Sequence, residues 1–192
     1  TLFPNEAPFQ HWLKGNTEAM TEQQKQGAAL FFGDANCVSC HSCTSLGSNE
    51  FHALGIDDLF GAHNMGLLTD DVKKGRGGFT QNPADNYKFK TPQLYTIKEA
   101  RFYGHGSSFT SVESIIRYKN EAIAQNPIVS TSQLASGFRP LSLSEDEIIA
   151  LTDFIENGLH DNNLNRYMPT NIASGNCFPN ADPVSQADLG CE

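Results

Sequence analysis

The chain has 192 residues, is 39% hydrophobic and carries a formal charge of -9 from 22 acidic and 13 basic side chains. That length is enough for one domain with its own core. The acidic balance excludes a nucleic-acid binder, which needs clustered Lys and Arg for the phosphates, and no run approaches the roughly 20 apolar residues that cross a bilayer.

An acidic surface serves solubility first and steering toward a basic protein partner second. The chain begins at Thr1 and shows no signal peptide, so it reads as a processed mature chain or a cleaved fragment.

Taken in chain order, residues 1–20 read as an arm or linker, with Pro4, Pro8 and Gly15 and no sustained periodicity. A first helix follows, with Thr21 and Gln24 as a capping box, Leu30 and Phe31 as its apolar surface, and Gly33 as its stop. Residues 44–92 are rich in Gly, Asn and Asp and read as long loops with short turns. So long a loop region fits a domain that wraps a cofactor in place of missing core.

A second helix is expected from about Thr110, with Glu113 completing a capping box. Its apolar positions Val112, Ile115, Ile116 and Ile123 follow one helical face, and Lys119 takes the i+7 place on that face. A third helix is capped by Ser144 with Glu147, carries Ile148, Leu151 and Ile155 on one face and ends at Gly158. Residues 161–192 form an extended tail. The fold class is mainly α with much irregular chain and little sign of strands.

Five cysteines divide into two groups. Cys177 and Cys191 bracket a polar segment with no periodic apolar pattern, which gains from a covalent staple, so a disulfide between them is expected. A disulfide in turn implies an oxidising compartment. In the front group, Cys37, Val38, Ser39, Cys40 and His41 form C-x-x-C-H, and Cys43 is left over.

C-x-x-C-H suits covalent haem attachment: two thiols on one turn reach the two vinyl groups, and the next residue places an imidazole under the iron. Zinc would need a second ligand pair at similar spacing. A thioredoxin-like redox site would need a βαβ setting. With a single motif, one covalent haem c is expected, and apolar side chains such as Phe31, Phe32 and Phe109 would exclude water from it.

The second axial position decides function, because a strong ligand there suits electron transfer and an open one admits peroxide. Candidates are Met65, Met168, His52, His63, His105 and Lys119. Met20 and Met168 read as packing or loop residues, and lone loop histidines as hydrogen-bonding surface groups. A lysine on an apolar face is costly to desolvate unless it snorkels, is paired, or binds a metal as the neutral amine. Lys119 is therefore either a snorkelling side chain or an iron ligand.

Beyond the motif, the stretches GAALFFGDANCVSCH, FHALGIDDL, YKFKTPQLYTIKEARFYGHGSSFTSVESIIRYKN and FRPLSLSEDEIIALTDFIENGL resemble the C-terminal haem domain of the bacterial di-haem cytochrome c peroxidases and MauG-like proteins. NRYMPTNIASGNCFPNADP resembles a tail of longer members, so the likeness covers about residues 21–192. It implies a cytochrome c-like domain over 21–160, after the 1–20 arm and before a disulfide-stapled 161–192 extension. In this family one haem reacts with hydrogen peroxide and the C-terminal haem passes electrons.

Carried over, Cys37 and Cys40 fall on the attachment positions, His41 on the proximal ligand and His105 on the histidine of an H-x-G turn. The family's distal methionine or tyrosine falls on Lys119, a departure that leaves Met65 as the other choice. The resemblance also implies a periplasmic or otherwise exported protein, a redox partner or second haem domain, and an inter-domain calcium for which Asp182 and Asp188 are candidates. The chain acting as a peroxidase in its own right, with His105 in acid–base cleavage of the O–O bond, or as one haem subunit of a larger assembly, are the alternatives.

Overall fold

A computed structural model describes residues 4–58, 70–164 and Ala187. Among the described residues, six α-helices and one short antiparallel strand pair, with a few 3₁₀ and π turns, make up the regular structure: α1 (Pro8–Leu13), α2 (Glu22–Phe32), β1 (Phe51–His52), α3 (Asp70–Lys73), α4 (Arg76–Thr80), β2 (Phe89–Lys90), α5 (Val112–Glu121) and α6 (Glu145–Asp153). The expected mainly α class holds. The 44–92 region is less bare than expected, since α3, α4, β1 and β2 all fall within it.

The caps of α2 and α6 form as the sequence implies. Thr21 Oγ1 accepts from Gln24 N at 3.1 Å while Gln24 Oε1 accepts from Thr21 N at 3.1 Å. Ser144 Oγ accepts from Glu147 N at 3.4 Å and Ser144 N donates to Glu147 Oε2 at 2.8 Å. At α5 the cap is displaced by one residue from the expected Thr110. Ser111 Oγ accepts from Ser114 N at 3.1 Å, and Glu113 is taken by Arg117 Nε at 2.7 Å. Arg117 also reaches both Glu145 oxygens, at 2.8 and 2.6 Å, which ties α5 to the start of α6.

Two further expectations are corrected. Ile123 lies beyond the end of α5 and is 70% exposed, so it does not extend the apolar face. The first twenty residues are more than an arm: α1 forms there, and Ala7, Phe9 and Met20 are buried in the main core. Only Phe9 of α1 is buried, so six residues offer too little periodicity to detect. The buried carboxylate of Asp161, 1% exposed, clamps this segment by accepting from Asn5 N and Glu6 N at 3.0 and 3.1 Å.

The core lies where α2 crosses α6. Phe31, Ile148, Leu151, Phe154 and Leu159 are almost completely removed from solvent. Phe154 begins a π-helical turn, Phe154–Gly158, which closes α6 at the glycine named from sequence. Gly27 permits the crossing, because a Cβ there would stand 2.1 Å from Ala150 O and 2.6 Å from Phe154 Cβ. Gly27→Ala is accordingly expected to destabilise the fold by about 1–3 kcal/mol, through forced separation of the two helices, despite alanine's better helix propensity. Urea denaturation monitored by far-UV circular dichroism checks it, and a gain in stability would refute the close-crossing argument.

Candidate functional site

α2 ends at Gly33, and Asn36, in the left-handed conformation that asparagine tolerates, swings the chain into a single 3₁₀ turn over Cys37–Ser39. Cys40 N and His41 N both donate to Cys37 O, at 3.2 and 2.9 Å. One turn thus presents two thiols and an imidazole to the same space.

His41 is held by its Nδ1, which lies 3.0 Å from Leu46 O and 3.2 Å from Pro92 O. Both partners are carbonyls, so Nδ1 carries the proton and Nε2 keeps its lone pair for a metal. Gly47 makes this double anchor available. A Cβ there would come within 2.9 Å of Pro92 O and 2.8 Å of Gln93 N, so only glycine lets the two carbonyl-bearing loops meet. Phe31 flanks the imidazole at 6.3 Å between ring centroids.

Above the turn lies a cavity of about 780 Å³, within the range of small-molecule and cofactor sites. Its lining includes Cys37, Cys40 and His41. The expected face of α5 forms one wall, with Val112, Ile115, Ile116 and Lys119 all facing it, and Leu151 and Ile155 of the α6 segment face it too. The i, i+3, i+4, i+7 stripe therefore faces the cavity, while Val112 and Ile116 also join the core that α6 shares. Of the three phenylalanines expected to exclude water, only Phe31 lines it. Phe32 is 43% exposed, and Phe109 packs on Tyr118 at 5.3 Å in a second small cluster with Ile56.

Lys119 has no hydrogen-bond or ion-pair partner among the described residues. Burial holds its pKa below the ordinary lysine value, opposed by the nearby Cys37 and Cys40 thiols. Burial, with Lys119 second, draws His41 down to about 4. Burial pushes the Cys37 thiol up to about 11 against the pull of Lys119. Lys119 and the C-x-x-C-H turn thus sense one another across one space. A half-buried amine with no partner among the described residues, a neutral imidazole with a free Nε2 and two thiols against largely apolar walls are a donor set that fits haem c.

His105 also lines the cavity. Its ring stacks on Phe89 at 3.5 Å and 7°, and its Nε2 stands 3.8 Å from Asp58 Oδ1. Burial lowers its pKa, with Asp58 and Asp57 acting in the opposite direction. His52 lines the cavity as well, with Nε2 buried and 3.3 Å from Glu50 Oε2 in a geometry that makes no hydrogen bond. Phe89 and Asp58 were not singled out from sequence; their pairing with His105 is long-range and leaves no local pattern.

Met65, His63, Met168, the Cys177 and Cys191 pair, Asp182 and Asp188 lie outside the described residues. Cys37, Cys40 and Cys43 are free thiols here. Among the described residues no group of three His, Cys, Asp or Glu could hold a metal ion, and no helix is long and apolar enough to cross a membrane.

No protein-family model matches the chain. Among curated proteins it is 31% identical over 161 residues to the methylamine utilization protein MauG of Methylophilus methylotrophus, covering 82% of this chain and 44% of that protein. It is 30% identical over 189 residues to the cytochrome-c peroxidase IdrP2 of Denitromonas iodatirespirans, covering 88% and 48%. Its fold resembles a MauG-like protein associated with microbial copper homeostasis, with a TM-score of 0.69 at 24% identity over 83% of this chain and 53% of that one. It also resembles the diheme peroxidase BthA of Burkholderia thailandensis, with a TM-score of 0.63 at 16% identity, covering 87% and 49%. The chain spans less than half the length of these curated relatives.

Proposed function

Since the chain belongs to the family of MauG-like proteins and di-haem cytochrome c peroxidases, we propose that it is the electron-transfer haem domain of a peroxidase-like system, corresponding to the C-terminal half of its relatives. When bound, haem c supplies a one-electron ferric and ferrous couple. Cys37 and Cys40 hold it as thioethers. His41 Nε2 would bind the iron, with Leu46 O and Pro92 O fixing the ring and raising its basicity as outer partners do at metal sites.

Lys119 Nζ would be the second protein ligand to the iron. It takes that role as the neutral amine, its proton leaving to solvent, which removes the cost of a buried ammonium. The observation carrying this reading is that Lys119 and the C-x-x-C-H turn line one cavity while Lys119 has no other partner among the described residues. His105, against Phe89 and Asp58, orients the surroundings of the cofactor. Met65 is the alternative axial ligand, and an exported, periplasmic setting with a redox protein or second haem domain as partner follows from the family.

The test is optical. The purified holoprotein should hold one haem that resists acid-acetone extraction, with low-spin spectra in both oxidation states and no change on adding cyanide or peroxide. A high-spin ferric form that reacts with peroxide would overturn the carrier reading in favour of a peroxidase, for which His105 stands ready on the cavity wall.

A further inference from the structure

The chain is acidic overall, yet residues 70–90 carry Lys73, Lys74, Arg76, Lys88 and Lys90 against Asp70, Asp71 and Asp85. Lys73, Lys74 and Lys90 also line the cavity. Three of these five already have an acid partner. Arg76 and Lys88 reach Asp85 at 3.3 and 3.7 Å, and Lys74 reaches Asp71 at 3.7 Å. Lys73 and Lys90 have no hydrogen bond or ion pair among the described residues.

Their backbones are not loose. Lys90 is fixed in β2 opposite Phe51 of β1, and Lys73 ends α3. The two other acids on the cavity wall are engaged elsewhere: Asp57 Oδ1 accepts from Asp58 N at 3.0 Å, and Asp58 faces His105 at 3.8 Å. Two cavity-lining lysines, Lys73 half-buried and Lys90 exposed at the rim, with no ion pair among the described residues, suit anionic groups on whatever fills the cavity. Haem carries two carboxylates, on its propionate arms.

We propose that Lys73 and Lys90 bind the propionate carboxylates of the haem, a role that rests on the haem reading above. Ammonium groups beside the cofactor favour the ferrous state, because reduction adds a negative charge. The two lysines therefore set the reduction potential as well as the seat of the porphyrin.

The experiment compares wild-type holoprotein with Lys73→Gln/Lys90→Gln, Lys73→Arg/Lys90→Arg and, as a remote control, Lys25→Gln, whose lysine pairs with Glu22 on α2 at 2.7 Å. Covalent haem is counted by the pyridine haemochrome, and the midpoint potential is measured at fixed pH at low and high salt. The glutamine double variant is expected to keep its haem with a lowered potential, the arginine double variant to return to the wild-type value, and the control to be unchanged. Equal potentials in wild type and the glutamine variant would overturn the proposal, as would an equal drop in Lys25→Gln or loss of haem in both double variants. Absence of covalent haem from the wild type would instead sink the haem reading itself, and the lysine assignment with it.

Discussion

Lys119→Ala holoprotein is expected to keep its covalent haem but to change from low-spin to high-spin, and to gain binding of cyanide and peroxide. Attachment depends on the Cys37–Cys40 turn, which makes no hydrogen bond to α5, so the haem count should not fall. A neutral amine is a strong-field ligand, whereas alanine leaves only space or water at that coordination position. The loss of one axial ligand at a haem is an all-or-none change in the visible spectrum, which makes this the largest functional effect expected of any single substitution here. Lys119→Met should remain low-spin with an altered potential, because a thioether replaces the amine. An Ala variant with the wild-type spectrum would remove Lys119 from the iron and return the role to Met65 or His52.

The largest stability effect is expected at Phe154. Its side chain is fully buried, edge-on to Phe9 at 5.2 Å and 87° and to Phe31 at 5.6 Å and 63°. It therefore joins α1, α2 and the end of α6. Phe154→Ala removes those contacts and leaves a hole in a region that the crossing at Gly27 already holds tight, at a cost of about 3–5 kcal/mol. For a chain of this length that is a fall in Tm of roughly 6–20 °C. Phe154 does not line the cavity, so the haem spectrum of the folded variant should match the wild type. Differential scanning calorimetry beside the visible spectrum checks both halves. A Tm within a degree or two of wild type would show that the α2–α6 crossing is not where the stability lies.

These two residues also mark how far local sequence reaches. Lys119 was legible because helical periodicity places it on the same stripe as Val112, Ile115 and Ile116, and a charge on an apolar stripe is a local anomaly. The C-x-x-C-H turn was legible for the same reason, since attachment of haem requires two thiols and an imidazole within one turn. Phe154, by contrast, is one apolar residue among several near the end of a helix. Helical spacing separates it from Ile149, which lies off the apolar stripe and is 46% exposed, but only the packing shows that Phe154 bridges α1, α2 and α6.

The short segments were hidden for a related reason. α1 buries one side chain, and β1 and β2 pair over two residues each, so neither gives a repeat long enough to read. The α5 cap went one residue astray because Thr110 and Ser111 are equally good acceptors by type. What separated them was Glu113, drawn away by an arginine that also binds Glu145 across the helix pair.

Sequence alone therefore determined the cofactor chemistry, the three main helices and the suspicion attached to Lys119, because each depends on residues within a turn or two of one another. Tertiary structure decided which of those residues share a cavity, that Nδ1 of His41 is anchored by carbonyls from two loops, and that Lys73 and Lys90 line the cavity with no ion pair among the described residues. Such facts come from the meeting of segments far apart in the chain, which excluded volume and burial select and no local pattern encodes.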